Sequence, residues 1–265
     1  MYPVILEIGP IIVYSLWLFA GIALLASVFM FEYLARLKRL HMNFIYHHSL
    51  AIFIWGLVGS RLLYVLINFQ VYFPDFTLSS FLRILYIWND KGLSLIGALL
   101  GIGISLLYFS IKEKEQTKRW LDIFSISVIT GLGIGHLGTF LDGSAYGRET
   151  SLPWGMVFDS PSIKYAVPIH PVQLYAALYS IIIVVVLYLL YRKSKFKAGV
   201  IAAAGIISYM SMTFLSGFLR GDDVFVFLGL RDEQIFALAT LILTGTYLFL
   251  RYNKKRKKKS PHQPA

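Results

Sequence analysis

Seven long apolar runs, separated by short polar connections, organise the chain. They fall at about 11–35, 48–68, 92–111, 121–141, 172–191, 198–219 and 233–250. Each is close to the roughly 20 residues that a helix needs to cross about 30 Å of hydrocarbon. The runs are continuous rather than alternating, which predicts helices and argues against a membrane β-barrel. No basic segment precedes the first run, and it ends at residues 31–36 without a small-residue cleavage site. It is therefore expected to be a retained span rather than a signal peptide. The expected fold is all-α: a polytopic membrane protein with seven transmembrane helices. Residues 1–252 read as a single seven-helix domain and residues 253–265 as a basic, disordered tail.

Composition sharpens this picture. Hydrophobic residues make up 57% of the 265 and charged residues only 15%, against about 25% charged in a soluble domain. There is no cysteine, which excludes disulfides, thiolate metal sites and a cysteine nucleophile in this chain. The formal net charge is +11, a value that in a soluble protein would suggest nucleic acid. Its distribution says otherwise. The first, third and fifth connections and the tail hold 18 of the 25 basic residues, whereas Arg83, Lys91, Arg148, Lys164, Arg220 and Arg231 share the opposite side. The positive-inside rule then places the N-terminus outside and the C-terminus in the cytoplasm. No nucleic-acid partner is expected. The outer connections, at about 69–91, 142–171 and 220–232, are the longer ones and carry Pro74, Pro153, Pro161, Pro168 and Pro171. Chemistry is expected there, at the outer leaflet.

Polar residues at membrane depth are the candidates for function. Arg61 lies in mid-span, where insertion costs roughly 2.5–3.5 kcal/mol, so it is expected to face a partner or a polar cavity. His136, Thr139, Asp142 and Tyr146 follow at steps of 3, 3 and 4, near one helical face. Gly131, Gly133, Gly135, Gly138, Gly143 and Gly147 permit close packing around them. His170 precedes Pro171 at the start of the fifth span, with Gln173 and Tyr175 in its first turns. A histidine there can take or give a proton near neutral pH. Arg220 stands where the sixth span leaves the bilayer and suits a phosphate, although Asp222 or Asp223 could pair with it instead. Tyr14 is an outer-end aromatic. No metal-ligand spacing or nucleotide loop is present, so no metal or cofactor is expected.

The segments GLVGSRLLYV, KGLSLIGALLG, GHLGTFLDGSAYG, IHPVQLYAALY and FLSGFLRGDD occur in that order. Together they resemble the prolipoprotein diacylglyceryl transferases over nearly the whole chain. The resemblance implies a bacterial cytoplasmic-membrane enzyme that moves diacylglyceryl from phosphatidylglycerol to the lipobox cysteine of a lipoprotein precursor. Its partners would be phosphatidylglycerol and the precursor's signal segment. Several signature positions differ. Relative to the family pattern G-R-x-G-N-F-x-N-x-E-x-x-G, His136 stands for the arginine, Thr139 and Asp142 for the asparagines, and Ser144 for the glutamate. Ile96 stands where the family has histidine, Ile169 where it has arginine, and Ala176 where it has glutamate. In the last motif only Arg220 remains of an Arg, Glu, Arg series, with Thr213 and Gly217 at the other two places.

On this reading Arg61 and Arg220 hold the lipid phosphate and His136 or His170 moves the proton. Tyr14, Thr139, Asp142, Gly147, Gln173 and Tyr175 shape the pocket. The substitutions leave two alternatives open: a non-catalytic or repurposed relative that binds phospholipid or a lipoprotein signal segment, and an enzyme acting on another lipid.

Overall fold

The computed structural model describes residues 2–85, 92–158, 163, 166–193, 196–224 and 226–259. Lys91, Pro161, Lys164 and residues 260–265 of the expected tail lie outside the described residues. In chain order the elements are β1 (Val4–Ile8), β2 (Ile11–Tyr14), α1 (Ser15–Leu37), α2 (Met42–Ile67), α3 (Phe69–Tyr72), α4 (Leu78–Arg83), α5 (Leu95–Lys112), α6 (Thr117–Asp142), α7 (Val172–Arg192), α8 (Val200–Gly217), β3 (Val226–Phe227), β4 (Leu230–Arg231) and α9 (Asp232–Lys259). Among the described residues seven helices, α1, α2 and α5 to α9, are long and apolar enough to cross a membrane. They coincide with the seven apolar runs.

The first run is not helical throughout. Its leading residues Ile11–Tyr14 pair antiparallel with Val4–Ile8, turning at Gly9 (φ 58°), and the helix starts only at Ser15. The β-branched residues of that stretch suit extended backbone. The Ser15 amide donates to the Pro3 carbonyl (2.9 Å), and the Tyr2 amide donates to the Leu141 carbonyl at the end of α6 (3.1 Å). The hairpin is thereby tied to the helix that carries His136 and Asp142. At the other end of the chain, α9 continues through residues 253–259, and its membrane-capable part is Asp232–Asn253.

The chain divides into two compact units, Glu32–Phe124 and Met1–Phe31 with Ser125–Ala265. In the first unit, α2 and α5 meet backbone to backbone. A Cβ on Gly97 would lie 2.3 Å from the Gly59 carbonyl oxygen, and one on Gly101 would lie 2.1 Å from the Trp55 carbonyl oxygen. Such approach is how apolar helices gain contact in lipid, where no hydrophobic force drives them together. In the second unit, α8 packs against both α7 and α9. The later part of α6 lies against α1, where Gly138 meets Phe19 and Gly131 meets Ser27. Leu24, Leu25 and Phe29 on α1, and Leu243 and Phe249 on α9, are exposed. Apolar faces this broad, carried by helices of spanning length, suit lipid rather than water.

Candidate active site

The candidate residues of the second unit fall into two polar groups. The first lies inside the helices. His136 on α6 and Tyr209 on α8 meet through Nε2 and the hydroxyl, 3.0 Å apart. The Tyr179 ring of α7 stands edge-on to Tyr209, with centroids 5.6 Å apart. Its hydroxyl reaches those of Tyr209, Thr213 and Ser216. Thr139 gives its hydroxyl proton to the His136 carbonyl one turn back (2.9 Å) and so belongs to the helix wall. Asp142 is the half-buried last residue of α6.

The second group forms where three stretches of chain cross beyond the helix ends. Gly147 bridges Arg220 on one side. On its other side a Cβ would fall 2.3 Å from the His170 carbonyl oxygen. Only glycine lets the strands close to this distance. The Arg148 amide donates to Leu219 (2.8 Å), the His170 amide to Arg148 (2.9 Å) and the Gly221 amide to Tyr146 (2.9 Å). Arg148 Nε also donates to the Arg220 carbonyl (2.9 Å). Tyr146, Phe158, Ile163 and Ile169 form the buried apolar cluster beneath, with Phe140 against it. Gly147, His170 and Arg220, distant in sequence, are therefore neighbours here.

Side chains extend this second group. The Tyr175 hydroxyl accepts from Trp154 Nε1 (2.8 Å) and lies 3.3 Å from His170 Nδ1. Gln173 is buried and gives its Nε2 proton to the Ser144 carbonyl (2.8 Å), while its Oε1 is buried with no hydrogen-bond partner. Tyr14 ends β2, half exposed, opposite Val4.

Arg220 is held by two carboxylates. Its Nε and Nη2 donate to Asp222 (2.9 and 2.5 Å) and its Nη1 to Glu233 (2.6 Å). Burial works against this charge, but the bond to Asp222 and the field of Glu233 outweigh it, so the guanidinium is more basic than a free arginine. Arg231 completes the cluster. It is buried, and its Nη2 donates to both Oδ1 and the backbone carbonyl of Asp222 (2.8 and 2.9 Å). Its own amide donates to Gln234 Oε1 (3.0 Å), and Gln234 lies over Gly217 so closely that a Cβ there would fall 2.5 Å from its Cγ. Asp222 was expected as a partner of Arg220. Tyr209, Arg231 and Glu233 were not singled out by the sequence. Their signals, a tyrosine in a span and charges beside a connection, are common in membrane proteins.

Arg61 belongs to the other unit and has its own task there. Its Nε, Nη1 and Nη2 donate to the carbonyls of Ile84 (2.8 Å), Gly92 (2.9 Å) and Arg83 (3.1 Å). The guanidinium lies 5.1 Å from the centroid of the Tyr72 ring. It is buried and holds residues 83, 84 and 92 of the connection between α2 and α5.

Fold and site define a multi-pass membrane protein whose ionised and hydrogen-bonding groups gather within and just beyond its helices. The family model for prolipoprotein diacylglyceryl transferase matches residues 3–251, and the chain belongs to that family. It is 36% identical to the phosphatidylglycerol–prolipoprotein diacylglyceryl transferase of Paracidovorax citrulli over 171 residues, 64% of this chain and 61% of that one. It is 31% identical to the enzyme of that name from Wolbachia pipientis subsp. Culex pipiens, covering 96% of this chain and 97% of that one. For the one from Clostridium tetani the identity is 26%, covering 94% and 97%. The structure gives two of the substituted positions a packing role: Ile169 is fully buried in the apolar cluster, and Gly217 makes room for Gln234.

Proposed function

We propose that this protein transfers diacylglyceryl from phosphatidylglycerol to the lipobox cysteine of a lipoprotein precursor. The observation that carries this reading is the family match across residues 3–251. It is supported by the crossing that brings Gly147, His170 and Arg220 together. Basic residues concentrated in alternate connections and in the tail support an N-terminus outside and a cytoplasmic C-terminus. The crossing then faces the outer leaflet of the cytoplasmic membrane, where the lipid donor and the precursor's signal segment meet it.

The chemistry is an alkyl transfer. The thiol of the precursor loses its proton, because thiolate is the nucleophile. The sulfur attacks the glyceryl carbon, an S–C bond forms and the C–O bond to phosphate breaks. Glycerol phosphate leaves with the electron pair. His170 is the proton acceptor at the crossing: Tyr175 holds its Nδ1, leaving Nε2 for the substrate proton. His136, fixed by Tyr209 inside the helices, is the alternative acceptor for this proton. Arg220 offsets the charge that grows on the departing phosphate. Arg61 keeps the connection between α2 and α5 in place. Tyr14, Thr139, Asp142, Gly147, Gln173 and Tyr175 form the wall, and the unpaired Gln173 Oε1 offers an acceptor to a lipid hydroxyl.

The test measures released glycerol phosphate when the purified protein meets phosphatidylglycerol and a lipobox peptide. Release should match modified peptide one to one and cease when the peptide cysteine is replaced by serine. Release that is independent of the peptide points to lipid hydrolysis and overturns the reading.

A further inference from the structure

Arg220 and Arg231 share one carboxylate. Asp222 Oδ1 accepts from Arg220 Nε (2.9 Å) and from Arg231 Nη2 (2.8 Å), while Oδ2 accepts from Arg220 Nη2 (2.5 Å). An anion bridging two guanidiniums through a common oxygen is also how an arginine pair holds a phosphate. The two arginines are anchored independently of Asp222. Arg220 is fixed through its backbone bridge to Gly147 and the bond from Arg148. Arg231 is fixed through its amide to Gln234 at the start of α9. Asp222 lies on the short connection between them.

The cluster also has unused bonding capacity. Arg231 is 6% exposed, yet its buried Nε has no hydrogen-bond partner. A carboxylate oxygen, Glu233 Oε1, is 3.6 Å away, too far for a hydrogen bond, and is itself buried without one. Buried donors are nearly always satisfied in a working structure. A tetrahedral phosphate has more acceptor oxygens than the carboxylate now between the arginines, and can reach this nitrogen as well.

We propose that Arg231 is a second phosphate-contacting residue beside Arg220, and that Asp222 is a stand-in anion that the phosphate displaces. The inference rests on the reading above, in which Arg220 takes the lipid phosphate. It makes Asp222 an internal counter-ion that occupies the arginine pair while the site waits for donor lipid. The shared ligand chemistry is a phosphate ester, borne by the membrane or released as glycerol phosphate.

Equilibrium binding to the full-length protein in detergent tests it, with short-chain phosphatidylglycerol, glycerol phosphate and inorganic phosphate as separate probes. Asp222→Asn keeps the shape and removes the competing charge, so the lipid should bind about tenfold more tightly. Arg231→Gln should bind about tenfold more weakly, and Arg231→Lys should fall between it and the wild type. This ordering with the lipid alone supports the site as one for a membrane-borne headgroup. The ordering with the free anions too supports it as a site for phosphate from either source. Weaker or unchanged binding by Asp222→Asn overturns the proposal, as does unchanged binding by Arg231→Gln. Should a variant fail to fold, as judged by thermal unfolding, Arg231→Lys decides, and wild-type affinity there overturns it. Glycerol phosphate release is scored separately. Peptide-dependent release without the binding order overturns the two-arginine site alone, and the binding order without release overturns only the proposed reaction.

Discussion

Tyr209 decides what His136 can do. The hydrogen bond at Nε2 fixes the ring and, in the proposed reaction, leaves Nδ1 for the proton. Replacing Tyr209 with Phe removes that bond with little change in volume. The expected outcome in steady-state assays is a fall in kcat of about tenfold with KM for the lipid unchanged. An unaltered kcat would show that Tyr209 is only packing. Arg61 predicts a different pattern. Arg61→Met strips the cation from three backbone carbonyls, so thermal stability should drop by at least about 2 kcal/mol. Limited proteolysis should then cut within residues 69–85, which stay protected in the wild type. At this scale the sequence was legible in part. A mid-span arginine and an arginine beside acidic residues stand out by their cost in lipid. Their partners do not, because Tyr209 is 73 positions from His136 and meets it only through helix packing.

The helices followed directly from the apolar runs, since backbone in lipid must pair within itself. The hairpin before α1 did not, because Ile11–Tyr14 is as apolar as the helix it precedes and only its β-branched character hints at a strand. The crossing at Gly147 was visible as a glycine but not as a junction, since three separate connections build it. Two glycines, one inside α6 and one at the crossing, should respond differently. Gly147→Ala places a methyl against the His170 carbonyl, so activity and unfolding temperature should both fall. Gly135→Ala meets nothing within 4 Å inside α6 and should be neutral or stabilising, by up to about 1 kcal/mol. Equal effects of the two changes in thermal unfolding would refute the close crossing.

For the molecule as a whole, the proposed role of the surplus Lys and Arg is to set orientation, and the lack of cysteine makes that testable. Ser79→Cys lies in the connection between α2 and α5, and Lys114→Cys in the one between α5 and α6. A thiol reagent that cannot cross membranes should label intact cells at the first position and only lysed cells at the second. The reverse pattern would invert the topology and move the crossing to the cytoplasmic side. Family and span count were readable from ordered motifs and run length. The site's charge balance was not, because Glu233 and Arg231 reach Arg220 and Asp222 from beyond the motif.

The most direct test of the central claim is the mass of a lipobox peptide after incubation with the purified protein and phosphatidylglycerol carrying isotope-labelled acyl chains. A labelled diacylglyceryl group joined to the cysteine sulfur is expected, formed only when protein, lipid and thiol are all present. Unmodified peptide with protein in molar excess over peptide would contradict it.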